Sequence, residues 1–367
     1  ARIPYEKWMN GAELELLADV RGCANCQKEE SNALIARANL ERYTVQPMVA
    51  FVSPAVEAIK NRAEEGQAYL DFPVNQTKIY PDYRRNPSEL EKIKATVDVV
   101  KNDANTQITE IDITGYASPE GRYASNARLA QGRAEALKKY VMDSYGFKSD
   151  LFRVNSVAED WAGLRDYVAK SNLPRKDEIL FIIDKDENDF DFKEGRIKAL
   201  DGGKIYASLL QDCYPGLRHS DYTVRYVVRG FNVEEAKQII KTRPQQLSLQ
   251  EMYLVAQTYA KGSKEFNEVF DVAVRMFPDD PTANINAAAI ELQRGDLQQA
   301  ARYLDKADAQ ASATLNNRGV LNLLQGDLDQ AETNFKKAQS LGSSEAGANL
   351  EEVAKKRKDN AIFGNKK

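Results

Sequence analysis

The feature that most constrains this chain is a segment that occurs twice. Gly295-Asp296-Leu297-Gln298-Gln299-Ala300 returns as Gly326-Asp327-Leu328-Asp329-Gln330-Ala331, and Lys306-Ala307 returns as Lys337-Ala338, both at an offset of 31 residues. A unit of that length without a strand pattern cannot bury its apolar face alone and must stack on its neighbours. Small residues at Ala300, Ala307, Ala331 and Ala338 let two helices approach closely, while Leu304 and Phe335 fill the space between them. Gly295 and Gly326 sit where a helix-turn-helix needs its turn. A looser unit covers residues 252–281, with Tyr259, Gly262, Phe266, Phe270, Ala273 and Pro278 in corresponding places.

These units resemble tetratricopeptide repeats with a shortened period, and residues 233–353 are expected to be all helix. Such repeats imply a concave surface that holds a peptide or a partner protein. Tyr253, Tyr259, Asn284, Asn316 and Asn317 are candidate groove residues, although helix packing explains the tyrosines equally well. Residues 354–367 form a basic tail, where Lys355-Lys356-Arg357-Lys358 and Lys366-Lys367 read as a frayed helix end rather than a nucleic-acid site.

Upstream, the pattern changes. In residues 67–232, strand-like stretches (68–74, 108–114, 152–157 and 222–229) alternate with helical ones. The latter are 90–100 after the Asn86-Pro87-Ser88-Glu89 start, 123–145 stopped by Gly146, and 161–170. The state of residues 179–184 stays open. Strands alternating with helices indicate a sheet with helices packed on it. Residues 1–66 read as a β-rich region, with strands at 12–16 and 44–53 and a short helix over 56–65 ending at Gly66. That region is too small for a generous core and should lean on the α/β region C-terminal to it. The expected fold class is therefore α+β.

Composition removes several functions. With 51 basic and 55 acidic side chains the formal charge is -4, so no global field favours nucleic acid. No apolar run reaches the roughly 18 residues of a membrane span. A single histidine, His219, argues against His-based triads and multi-His metal sites. Cys23-Ala24-Asn25-Cys26 is a lone CxxC, read as a local disulfide or loop thiols, and neither cofactor nor metal is expected. Asp184-Lys185-Asp186-Glu187-Asn188-Asp189 is calcium-loop-like only superficially, because the sixth and twelfth loop positions hold Asp189 and Gly195. Gly202-Gly203 lacks the Gly-Lys pattern of a phosphate loop.

The strongest local motif is Gly115-Tyr116-Ala117-Ser118-Pro119-Glu120-Gly121, followed at fixed distances by Asn126, Leu129, Arg133 and Ala134. It opens after a strand and leads into a helix. It resembles the C-terminal domain of the OmpA family, and the resemblance covers about residues 68–229. The likeness implies a mixed sheet with helices packed on it. In that family a loop carboxylate receives the ammonium of diaminopimelate in peptidoglycan, and a helix arginine forks onto its carboxylate. The resemblance makes Arg133 the fork and Asn126 the family asparagine. Ser118 stands at the family's Asp position, and Glu120 is the nearby carboxylate that would have to substitute.

Apart from the family, Arg133 lies four residues from both Leu129 and Leu137, on the apolar stripe of its helix. It reads either as an internal salt bridge or as a ligand-facing group. No paired carboxylates with convincing spacing support a hydrolase built on Glu120 or Asp112, so an enzyme is not expected. The resemblance implies a non-enzymatic envelope protein of a Gram-negative cell, periplasmic or outer-membrane associated. Its OmpA-like domain would contact peptidoglycan, and its repeats would bind another envelope protein. The alternative is an assembly scaffold that has lost the wall ligand. Because the chain starts at Ala1, a signal peptide is expected to have been removed.

Overall fold

The alternation at residues 12–16 becomes the first strand of an antiparallel hairpin, β1 (Glu13–Arg21) and β2 (Gln27–Arg37). The computed structural model describes residues 6–23, 26–38, 42–73, 76–185 and 189–363. Its architecture is mixed α+β and falls into two units, Ala58–Gly230 on one side and Ala1–Glu57 with Phe231–Lys367 on the other. The first boundary thus lies at 57/58 rather than 66/67, and residues 1–57 group with the C-terminal helices rather than with the sheet.

That shift comes from residues 56–65, which are not helical. β3 (Lys60–Ala68) is a strand paired antiparallel along its length with a later strand, and its burial alternates residue by residue. Ala63, Glu64, Glu65 and Gln67 are adequate helix formers locally; the ladder and the buried ends, Lys60 and Ala68, override that preference.

Next come α1 (Asn86–Lys101), β4 (Thr106–Tyr116), α2 (Tyr123–Tyr145) and β5 (Phe152–Val157). A helical stretch, α3 (Trp161–Lys170), α4 (Lys176–Asp184), α5 (Phe190–Ala199) and α6 (Lys204–Ser208), precedes β6 (Ser220–Val228). The strand order is β3-β6-β4-β5; β4 and β5 run parallel across the α2 crossover, and β6 inserts antiparallel between β3 and β4. Residues 179–184 are helix because Ile179, Ile182 and Ile183 bury at helical spacing into a core shared with Leu164, Val168 and Tyr214. Gly115, at the end of β4, meets α2 directly: a Cβ there would lie 2.4 Å from the Ala130 carbonyl oxygen. This close approach sets the loop after β4 beside the N-terminal half of α2.

The other unit continues as α7 (Val233–Thr242), α8 (Leu249–Ala256), α9 (Lys264–Met276), α10 (Pro281–Arg294), α11 (Leu297–Lys306), α12 (Ser312–Gln325), α13 (Leu328–Ser340) and α14 (Ala346–Phe363). The duplicated Gly-Asp is a helix stop and a helix start in two residues. Gly295 and Gly326 close α10 and α12 in the left-handed conformation (φ 84° and 86°). Asp296 and Asp327 then cap α11 and α13 by accepting from Gln299 N–H and Gln330 N–H. Ala300, Leu304, Ala331, Phe335 and Ala338 are all buried in one core. The basic run at 355–358 lies inside α14 rather than in a tail, while residues 364–367 lie outside the described ones. Among the described residues, no helix is long and apolar enough to cross a membrane.

Residues 44–49 alternate in burial as their sequence predicts, but 49–52 are all covered, with Val45, Val49 and Phe51 packed on the cores and Ala50 buried, and the stretch joins no sheet. Helices, not a neighbouring strand, cover their inner side.

Candidate binding site

The loop after β4 is pinned at both ends. Ala117 N–H donates to the Val157 carbonyl at 3.2 Å, Asp160 N–H donates to the Ala117 carbonyl at 2.9 Å, and Gly121 N–H donates to Glu194 at 2.9 Å. Ser118 is buried within it, and its Oγ accepts from Arg218 Nε at 3.0 Å. The Arg218 guanidinium also pairs with Glu120. Both of the loop's polar side chains therefore already face a cation of the chain itself.

Asn126, buried on the first turn of α2, donates from Nδ2 to the Glu120 carbonyl and to Glu159 Oε1, each at 3.0 Å. It ties the loop to Glu159, which also accepts from the Trp161 indole at 2.9 Å. Burial pushes the Glu159 carboxyl up, against those two hydrogen bonds. Asn126 is thus a brace rather than a surface contact.

Arg133 does not make the internal salt bridge that one reading of its position required. Among the described residues it has no carboxylate partner, and its Nε is buried without a hydrogen bond. Its guanidinium lies 5.1 Å from the centre of the Phe72 ring. Burial, and then the nearby charge of Arg218, hold its pKa below the usual arginine range. Ser118, Glu120, Asn126 and Arg133 therefore belong to one polar cluster, in which Arg218 takes Ser118 and Glu120, Asn126 takes Glu159, and Gly121 N–H takes Glu194. Within it the Arg133 guanidinium is the group left without a polar partner at Nε.

Arg218 is the residue that sequence reasoning missed. It lies 98 residues beyond Glu120, in a turn with no motif of its own, so only the fold brings it in. His219 beside it stacks on Tyr116 with ring centroids 4.3 Å apart. Among the described residues no cluster of His, Cys, Asp and Glu could hold a metal ion. The calcium-like stretch includes residues 186–188, which lie outside them; of the rest, Asp189 caps α5 and Asp191 accepts from Tyr123 N–H.

A second built site is the face of the C-terminal helices, where residues 42–53 run as an extended strap. Val52 N–H donates to Asn286 Oδ1 at 2.7 Å, and Asn286 Nδ2 donates to the Val52 carbonyl at 2.8 Å. Asn317 treats Ala50 in the same way at 2.8 and 3.0 Å, and Asn349 treats Met48 at 2.7 and 2.8 Å. The three asparagines are buried, and each serves both backbone groups of one strap residue, so that together they hold the alternate residues Met48, Ala50 and Val52. An N–H can donate only to the amide oxygen, which fixes each amide's orientation. Asn316 adds a bond from Nδ2 to the Met48 carbonyl at 3.0 Å.

At the far end Gln46 N–H donates to Glu352 at 2.8 Å, the Tyr43 hydroxyl donates to the same carboxylate, and Tyr43 N–H donates to Asp359 at 2.8 Å. Burial alone would push Glu352 up; bonds from Lys355, the Tyr43 hydroxyl and Gln46 N–H outweigh it and hold the carboxyl down. On the apolar side Phe51 packs against Phe266 and Phe270, with centroids 5.4 and 5.3 Å apart.

Of the groove residues expected from sequence, Asn316 and Asn317 hold the strap. Asn284 instead donates to the Pro278 and Asp280 carbonyls, Tyr253 packs on Phe270, and Tyr259 lies beneath Lys237. Asn286 and Asn349 were missed, although Asn286 lies one 31-residue period before Asn317. No family model matches the chain, and no curated protein is found similar to it.

Proposed function

We propose that this is a non-enzymatic cell-envelope protein, an OmpA-like domain joined to tetratricopeptide-like repeats. In this reading it serves as an assembly scaffold, and the OmpA-like domain has given up the family's wall ligand. The observation that carries the proposal is Arg218 seated on Ser118 and Glu120. At the position where the family receives the ammonium of diaminopimelate, this chain supplies a guanidinium of its own. A second cation brought there would meet the like charge of Arg218, which already holds Glu120.

The test is retention of the purified chain on insoluble diaminopimelate-type peptidoglycan, with Arg133→Ala alongside. The expected result is no retention of either protein. One observation favours the other reading, direct wall contact: Arg133 has no acceptor among the described residues and is free to take a carboxylate. Retention that disappears in Arg133→Ala would establish that reading and overturn the scaffold proposal.

A further inference from the structure

The groove of the C-terminal helices reads its occupant almost entirely through the backbone. Asn286, Asn317 and Asn349 bind Val52, Ala50 and Met48 by N–H and C=O, with no bond that depends on those side chains. Pro47, which has no N–H, falls on the odd register, which carries none of these bonds. The pattern is that of a strand edge, with side-chain amides in place of a neighbouring strand. None of these bonds uses the covalent path between strap and helices, so all of them survive if the strap belongs to another molecule.

Three features restrict which segment fits. Ala50 is only 4% exposed, so the register above Asn317 admits a small side chain. Phe51 packs against both rings of the Phe266–Phe270 pair, and Tyr43 places its hydroxyl on Glu352. Emptying the groove breaks six hydrogen bonds between the strap backbone and Asn286, Asn317 and Asn349, and a second copy's segment of the same pattern would restore all six. The sequence that meets all these conditions is this chain's own 43–52. Beyond it, residues 53–59 belong to no helix or strand, so the strap can leave without unravelling an element.

We propose that the strap is exchangeable between copies. Residues 43–52 of one molecule seat in the groove of a second, and the chain assembles with itself by strap exchange. This rests on reading the repeats as the holding half of the molecule, and it is independent of whether the sheet domain touches the cell wall.

The test mixes two full-length variants. One carries Ala50→Pro and Val52→Pro, which remove the N–H groups that Asn317 and Asn286 receive. The other carries Asn286→Ala, Asn317→Ala and Asn349→Ala, which disable the groove and leave the strap intact. Each alone should be monomeric by light scattering. Their mixture should give a species of twice the mass, containing both chains in equal amounts. A mixture that stays monomeric while both variants keep the wild-type helical circular dichroism would overturn the proposal.

Should either variant fail to fold, the wild-type chain with excess fluorescent peptide of residues 42–53, labelled at the exposed Met48 position, gives the second measurement. Saturable uptake, lost when the peptide carries proline at position 50, supports exchange; no uptake overturns it. Peptidoglycan retention should be unaffected in every case, so failure here is distinct from failure of the scaffold reading.

Discussion

Asn317 holds Ala50 by both of its backbone groups, accepting from the N–H at 2.8 Å and donating to the carbonyl at 3.0 Å. Both residues are buried. Asn317→Ala leaves two buried backbone groups without partners and should cost about 1–3 kcal/mol for each, read by urea unfolding. Asn317→Asp should destabilise as well, because it keeps an acceptor for the N–H but turns a carboxylate oxygen on the Ala50 carbonyl. Stability unchanged in both variants would mean that the strap contributes nothing to this unit.

Gly319 and Phe335 are matched in volume. A Cβ on Gly319 would lie 2.5 Å from Phe335 Cε1, whereas one period earlier the equivalent positions hold Ala288 and Leu304. Gly319→Ala alone should cost about 1–3 kcal/mol through overpacking. Gly319→Ala with Phe335→Leu, which installs the pair of the earlier repeat, should be more stable than Gly319→Ala alone. A double-mutant cycle reads that coupling, and purely additive effects would show that the two residues do not share this space.

Placing a carboxylate at position 118 is not expected to give peptidoglycan binding by itself, because Arg218 is in place to pair with it. Ser118→Asp should leave peptidoglycan retention unchanged. Ser118→Asp with Arg218→Ala, which supplies a carboxylate and removes its internal cation, should raise retention. Sedimentation with insoluble peptidoglycan distinguishes the two, and equal behaviour of single and double variants would count against Arg218 as the blocking group.

Glu352 and Asp359 on one side and Glu159 on the other should respond to acid with opposite signs. Glu352 and Asp359 are held below their ordinary values of 4.5 and 3.8. Their contribution is therefore complete above those values and is lost as pH falls through the still lower folded values. Acid should loosen the Tyr43 end of the strap, seen as falling hydrogen-exchange protection of the Tyr43 and Gln46 amides below about pH 4. Glu159 is instead raised above 4.5 by burial, so its contribution to the sheet unit is greatest in acid and diminishes as pH climbs from 4.5 through the folded value. Glu159→Gln should flatten that part of the unfolding profile. Strap protection that does not fall in acid would exclude Glu352 and Asp359 as its anchor.

Several local features were legible because they are written locally. Residues 123–145 carry a helical stripe and a terminal glycine, and α2 spans those residues. Residues 152–157 read as a strand and pair with β4. Residues 56–65 misled because their helix propensity is real, while the partner that makes 60–68 a strand, β6, lies more than 150 residues away. The alternation of 44–53 was visible, but alternation reports only that one side is covered. Here the covering comes from helices, and asparagine amides complete the backbone bonding.

What the sequence by itself determined is the set of local instructions: the 31-residue helical period, the Gly-Asp stop-and-start signal, the alternating strands and helices of the α+β region, and the loop of Ser118 and Glu120 leading into the helix of Asn126 and Arg133. Only the tertiary structure decided who answers them. Arg218 satisfies the Ser118 loop, Phe72 rather than a carboxylate lies against Arg133, and the chain's own residues 43–52 fill the groove. The physical reason is the same in each case. A buried polar group must find a partner, and nothing in local spacing says which distant segment of the chain will supply it.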